Sequence, residues 1–264
     1  MKYFVVSDVH GFLNELMEAL NENGFDVNNP EHKLIVCGDL FDRGPQAVEL
    51  FEFVKSLGDK FIYVRGNHED LLFDCYKELL SGFGCERHHV SNKTVDTITQ
   101  FTGLNYYNLM VNTPDRNAAF KEKLEPLLDF ITDKTVDYFE IGDYIFVHGW
   151  IPEIPDTSSP YWWYGSKDLY DQKWRDSNLW DSARWLNGMK EWKRGIREIG
   201  KTIVCGHYHC SYGWSHIRQQ RKEFPDKNKK DWLKSFEPFV DDGIMAIDAC
   251  VAYTGKVNCI VIEE

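Results

Sequence analysis

The sequence predicts an α/β fold, and three observations carry that reading. Within the first eighty residues, short apolar runs alternate with apolar stripes at helical spacing, in the order β-α-β-α-β-α. Each apolar run ends in a polar cluster, at the edge where open α/β sheets bind ligands. Strand-like runs then return after residue 135 and close the chain.

Lys2–Val6 is the first strand run, and Ser7-Asp8-Val9-His10-Gly11 follows it. Phe12, Leu13, Leu16, Met17 and Leu20 share one helical face, and Asn23-Gly24 stops that helix. Lys33–Cys37 is the second run, which releases Gly38-Asp39-Leu40-Phe41-Asp42-Arg43-Gly44. Pro45 sits near the next helix start, and Ala47, Val48, Phe51 and Val54 form its stripe up to Leu57-Gly58. Phe61–Val64 is the third run. It ends in Arg65-Gly66-Asn67-His68-Glu69, with a helix expected over Asp70–Leu80.

From Ser81 to Asp133 the pattern changes to a helical insertion, with helices over Lys93–Phe101 and Asp115–Phe130, the second disturbed by Pro126. Val136–Ile141 and Tyr144–Val147 read as a hairpin about Gly142-Asp143, ending in His148-Gly149-Trp150. Residues 150–192 hold seven of the nine tryptophans, and prolines at 152, 155 and 160 mark an irregular loop. Such rings could stack nucleobases, but packing a long loop onto the body is the plainer reading. Lys201–Cys205 is a further strand before Gly206-His207-Tyr208-His209. Residues 218–242 read as a charge-rich surface loop, and Gly243–Asp248 and Lys256–Glu263 as the last two strands. With no repeat or linker, the expectation is one domain over residues 1–264 with a helical insertion at about 81–133.

The chain of 264 residues is 43% apolar and 27% charged, enough for a sizeable core. A net charge of −12 argues against nucleic-acid or anionic-membrane partners, which need a basic surface. No apolar run approaches the roughly 18 residues of a membrane span. The N-terminal run is too short for a signal peptide, and the seven cysteines include no C-x-x-C pair. They are expected to be reduced and the protein cytoplasmic. Nothing in the pattern specifies an oligomeric state.

Five polar clusters follow strand-like runs: Asp8 and His10; Asp39 and Asp42; Asn67 and His68; His148; His207 and His209. Carboxylate and imidazole donors suit divalent first-row metals rather than calcium, and the lack of thiolates argues against a structural zinc site. Singly, His10 could cap a helix, His148 could be a core histidine, and Asn67 could make a turn. Five clusters at five strand ends point to a metal centre. His88-His89, after Gly84, reads as exposed loop.

Ser7-Asp8-Val9-His10-Gly11, Gly38-Asp39-Leu40-Phe41-Asp42-Arg43-Gly44 and Gly66-Asn67-His68-Glu69 resemble the D-x-H-G, G-D-x-x-D-R-G and G-N-H-E motifs of the calcineurin-like metallophosphoesterases. The arginine of the second motif and the glutamate of the third point to the phosphoprotein-phosphatase branch. That branch includes Ser/Thr protein phosphatases and bacterial diadenosine-tetraphosphate hydrolases. Ile247-Asp248 and Tyr253-Thr254-Gly255-Lys256 resemble the family's last hairpin.

The resemblance implies a four-layer αββα sandwich and two divalent metal ions, manganese foremost, with iron, zinc or cobalt also accepted by such donors. It implies that Asp8 and His10 bind the first ion, that Asp39 bridges both, and that Asn67, His148 and His207 bind the second. His209, the second histidine of the wider superfamily's G-H-x-H and one the phosphatase branch usually lacks, would join the ligands of the first ion. A shared anion offsets the repulsion of two close dications, and a metal-bridging hydroxide would attack phosphorus. His68 would be the general acid, with Asp42 as its partner. Arg43, Arg65 and Arg184 would fork onto phosphate oxygens.

The sequence departs from the branch at Ser7, usually glycine, where little effect is expected. It departs again at Trp150, in place of the second glycine of H-G-G, where the ring could narrow the site or stack on a substrate. The implied substrate is a phosphorylated molecule, phosphoprotein or nucleotide. The leading reading is a Ser/Thr-type protein phosphatase acting on phosphomonoesters. The alternative is a dinucleoside-polyphosphate hydrolase with its bases against the tryptophans. The acidic chain offers no phosphate track for a nuclease. An inactive metal-binding scaffold is the reading of another class, and the complete ligand set argues against it.

Overall fold

The computed structural model describes residues 1–82, 84–153 and 172–264. The first part of the chain alternates as expected: β1 (Lys2–Val6), α1 (Leu13–Glu22), β2 (His32–Cys37), α2 (Ala47–Ser56), β3 (Phe61–Val64) and α3 (Asn67–Ser81). The strands are parallel, with Val6 opposite Val36 and Cys37 opposite Val64. Their carboxyl ends therefore share one sheet edge, and the three motifs leave side by side.

The segment expected as a helical insertion comprises α4 (Arg87–Ser91), α5 (Thr94–Thr102), α6 (Tyr106–Met110), α7 (Pro114–Ala119), a π-helical turn at Phe120–Leu124 and α8 (Glu125–Lys134). Then come β4 (Thr135–Val136), β5 (Phe139–Ile141), β6 (Tyr144–Phe146), a 3-10 turn at Gln172–Asp176, α9 (Trp180–Ala183), α10 (Gly188–Lys193) and β7 (Thr202–Cys205). A π-helical turn at Gly213–Ile217 and a 3-10 turn at Trp232–Phe236 precede β8 (Phe239–Asp241), β9 (Ile244–Ala246), α11 (Val251–Thr254) and β10 (Ile260–Glu263).

Two mixed five-stranded sheets result, ordered β10-β1-β2-β3-β4 and β5-β6-β7-β9-β8. Strand alternation sorts the core into three slabs. Phe4, Val6, Leu34 and Val36 face α1, α2, α3 and the insertion helices. Tyr3, Val5, Ile35 and Cys37 face Phe146, Val204 and Ile247 of the second sheet. Ile145, Ile203 and Ile244 face outward onto α9, α10 and their loops. Helix, sheet, sheet and helix make the four-layer αββα sandwich. No helix among the described residues is long and apolar enough to cross a membrane.

The structure departs from the sequence reading in several places. α3 begins at Asn67 rather than Asp70, because extended Gly66 caps it and Glu69 accepts the Gly66 N–H at 2.7 Å. Asn67 and His68 thus lie in a helix's first turn. The single helix expected over 115–130 is α7, the π-helical turn and α8. The three run on without a break, and Pro126, which has no N–H to give, follows directly on the π-helical turn, the disturbance the proline predicts. The strand expected over 136–141 is divided between the sheets: Val136 pairs with Val64, and Phe139 pairs with Phe146. β8 lies inside the stretch read as surface loop. His89 is fully buried beside Glu78, not exposed.

The irregular loop expected through 154–171, with Trp162 and Trp163, lies outside the described residues. Trp150, Trp174, Trp180 and Trp192 are buried behind the second sheet. Each donates its indole N–H within the protein, to the Ile196 carbonyl, Glu198, the Arg175 carbonyl and the Asp242 carbonyl respectively. These four rings pack the body, as the plainer reading holds. Trp150 is fully buried, so it neither narrows the site nor stacks on a substrate.

Candidate active site

The motif loops turn away from the strand ends through strained backbone. Asp8, His10, Asp39, Asp42, Arg43 and His207 all have positive φ, six of the ten such non-glycine residues among those described. Left-handed conformations cost such residues free energy and cluster where surrounding structure enforces them. Close packing adds a constraint at Gly38, whose own φ is +78°. A Cβ there would run into the His148 ring and the Gly66 backbone.

Strand ends of both sheets meet at Asp39. One group of donors is His10, Asp39 and His68; the other is Asp39, His148 and His207, each with its atoms within 4.8 Å of one another. Asp39 belongs to both. Asn67 Oδ1 lies 2.9 Å from His148 Nε2. Asp8 Oδ1 is 3.9 Å from His10 Nε2, while its other oxygen takes the Ser7 hydroxyl and the His207 backbone N–H. Ser7 is thus bonded to Asp8, a contact its near-neutral reading missed.

Backbone carbonyls fix the histidine tautomers. His10 Nδ1 donates to the Phe41 carbonyl and His148 Nδ1 to the Cys37 carbonyl, so each Nε2 faces the cluster. The His207 ring bonds to the Trp185 backbone.

Electrostatics separate these groups. Burial, then the Arg43 guanidinium, holds His10 well below its usual range. Burial and His148 push His207 down to about 3. Burial would lower His148 too, but Asp39 and Asp8 raise it to about 10. Asp39 stays well below the carboxylate range despite burial, because His148, His68 and His10 surround it. Asp8 is raised to about 6 by burial, with His148 opposing and Asp39 adding. Asp248 is raised to about 7 by burial and by Asp8. Asp8 and Asp248, held up by burial beside the neutral imidazoles of His10 and His207, fit divalent cations: a dication would favour the ionised carboxylates, take up those lone pairs and displace the proton that Asp39 and Asp8 hold on His148.

His68 and Asp42 form a buried pair, Nδ1 to Oδ2 at 2.7 Å. Burial alone would lower His68, but Asp39 and Asp42 raise it above its ordinary value. Asp42 is held by the insertion. Thr94 Oγ1 donates to Asp42 Oδ2 and Thr97 Oγ1 to Asp42 Oδ1, both at 2.8 Å. Thr97 Oγ1 also accepts the Asp42 backbone N–H at 3.0 Å. One turn on, Gln100 accepts the Ala47 N–H and donates to the Gly44 carbonyl. A second clamp is Glu69, which accepts the N–H groups of Asp39, Leu40 and Gly66 and so ties the loop after β2 to the loop after β3.

The three arginines differ. Arg43 lies in the cluster, donating to His10 Nε2 at 2.7 Å and standing 3.0 Å from His68 Nε2. Arg65 pairs with Asp70 at 2.7 Å. Arg184 is buried and contacts Asp70, Asp137 and Asp181. Through Asp70 these two line a separate cleft with Thr135 and Tyr138, and they hydrogen-bond to carboxylates and Thr135 rather than to the cluster. His209 also stands apart from both donor groups, against Ser211 at 2.7 Å and Glu223 at 3.7 Å.

Sequence reasoning missed Thr94, Thr97 and Gln100, the clamp role of Glu69, and Asp248. Of these, Glu69 carried a signal as the last residue of a strand-end motif, and Asp248 because it follows an apolar run as the other site carboxylates do.

The sequence model of the calcineurin-like phosphoesterases matches residues 1–237. Among curated proteins, a symmetrical bis(5'-nucleosyl)-tetraphosphatase of Proteus mirabilis is 44% identical over 137 residues, 52% of this chain and 42% of that protein. A protein of the same name from Buchnera aphidicola is 40% identical over 79 residues, 30% of this chain and 28% of that protein. The chain therefore spans less than half the length of these relatives. Among solved structures, a cold-active protein-tyrosine phosphatase of a psychrophilic Shewanella species covers 100% of this chain and 75% of its own, with a TM-score of 0.50 and 16% identity. At that identity the likeness shows the fold alone. A match over residues 1–237 spans every strand-end motif from Asp8 to His209; the chain belongs to the calcineurin-like phosphoesterase family.

Proposed function

We propose that this chain is a two-metal phosphohydrolase that acts on dinucleoside polyphosphates. The observation that supports hydrolysis most directly is the pair of donor groups sharing Asp39, with the His68–Asp42 pair against them. The substrate class rests on the relatives named tetraphosphatases, one of them 44% identical over 137 residues. That favours the alternative sequence reading over the Ser/Thr protein phosphatase.

In this reading Asp8, His10, Asp39, Asn67, His148 and His207 hold the two cations. The cations supply Lewis acidity toward phosphate and an activated water. His68, kept protonated by Asp42 and Asp39, delivers a proton to the departing oxygen. Arg43 turns its fork from the two imidazoles to the phosphate oxygens, a planar match that lysine would not give. Arg65 and Arg184, committed to Asp70, Asp137 and Asp181, shape a neighbouring wall instead.

The test is a substrate panel with manganese, iron, zinc or cobalt supplied, alongside measurement of bound metal. Dinucleoside tetraphosphates should exceed phosphopeptides in kcat/KM by at least about tenfold. The reverse order refutes the substrate reading. Bound metal without turnover of any substrate refutes the enzyme reading in favour of a scaffold.

A further inference from the structure

Among the described tryptophans of residues 150–192, Trp185 is the exception. The other four are buried and donate their indole N–H groups within the protein, whereas Trp185 is 51% exposed. Its position is not arbitrary. The Trp185 backbone holds the His207 ring, and its indole stands edge-on to that ring, 5.9 Å between centroids. Tyr208 follows, 5.1 Å from His207 and 37% exposed, and Tyr212 lies 5.9 Å from Tyr208. Trp185, Tyr208 and Tyr212, with Leu186, line a cleft of about 320 Å³ bordered by Asn187 and Lys190.

We infer that this cleft is a nucleobase subsite, with Trp185 as its stacking face. The inference rests on the dinucleoside-polyphosphate reading and adds the place where one base sits. A large ring half in water beside a catalytic cluster loses hydration cost when another flat ring covers it, and every base offers such a face. The cleft's volume is at the small end of ligand pockets, so it takes one nucleoside and not a folded protein segment. Two of its lining rings, Trp185 and Tyr208, pack on the His207 ring, so a base lodged there sets its own phosphate chain toward the donor groups.

The test uses two readouts. In the protein as purified, adenosine 5′-monophosphate should quench tryptophan fluorescence saturably, and ribose 5-phosphate, which lacks the base, should not. Trp185→Ala, and Trp185→Leu as a second variant that keeps apolar bulk, should weaken the nucleotide about tenfold or more. The kcat/KM ratio of dinucleoside tetraphosphate to inorganic tetraphosphate should fall by a similar factor, and Trp185→Phe should restore much of it. Equal nucleotide binding by wild type and both variants overturns the subsite. So does an equal loss on base-bearing and base-free substrates, which would mark Trp185 as only a support for His207. A protein that turns over phosphopeptides but no dinucleoside tetraphosphate refutes the substrate reading by itself, since the quenching result is read separately.

Discussion

Replacing Thr97 by valine removes one hydroxyl and keeps the side chain's shape. That hydroxyl donates to Asp42 Oδ1 and accepts the Asp42 backbone N–H, and Asp42 is fully buried. A hydrogen bond to a charged group contributes about 1.5–3 kcal/mol, and a buried N–H left without a partner costs about 1–3 kcal/mol. Thr97→Val should therefore destabilise the fold by roughly 3–5 kcal/mol. No cavity contributes, because valine fills the same volume. With Asp42 held only through Thr94 and His68, the acid loses its fixed orientation, and kcat should fall about 10–10²-fold. Thr97→Ser keeps the hydroxyl and should retain most of kcat. Urea unfolding gives the first quantity and steady-state turnover of a phosphate substrate the second. If valine and serine variants match in kcat, or if valine costs under about 0.5 kcal/mol, Thr97 does not hold Asp42.

Three further outcomes are expected. Asp42→Asn removes a charge that raises His68, so the folded pKa of His68 drops, its acid form is lost at lower pH, and the alkaline limb of kcat moves acidward; an unmoved limb contradicts His68 as the acid. His68→Ala should keep bound metal and lose about 10²–10⁴-fold in kcat on an alkyl phosphomonoester, with a smaller loss on a tetraphosphate, whose leaving phosphate needs less protonation than an alkoxide; metal analysis showing departed ions would reassign the residue. Glu69→Gln turns an NH2 group toward N–H donors and should weaken metal binding about 10–100-fold by loosening Asp39, read by calorimetric titration with manganese.

What the sequence made legible is local. Asp8, Asp39 and Asn67 each follow an apolar run within a few residues, and parallel pairing in register then brings those ends together without further instruction. Asp42's partners were illegible for the opposite reason. Thr94 and Thr97 lie 52 and 55 residues from Asp42, on a helix whose sequence reads as ordinary amphipathic packing. Arg184 shows a limit of motif logic. The family resemblance suggested a phosphate contact, but Asp70 and Asp137, 114 and 47 residues away, bond it together with Asp181 at i,i+3, and no local spacing encodes the two distant partners. β8 stayed hidden because a three-residue edge strand in a charged stretch carries too little alternation to register.

The contact between Asp8 and the His207 backbone joins residues 199 positions apart. It sets an order of events during synthesis. When the first sheet's motifs leave the ribosome, His148 and His207 have not been made, and Asp39 lacks half of its neighbours. A nascent chain that ends after α3 holds His10 and His68 but neither His148, the strongest of the histidines that keep Asp39 ionised, nor His207 of the second donor group. The second donor group is thus incomplete until β7 pairs with β6 and brings His207 to Asp39 and Asp8, so a chain terminated before β7 would, in the proposed reading, be an inert fragment rather than an unregulated phosphatase.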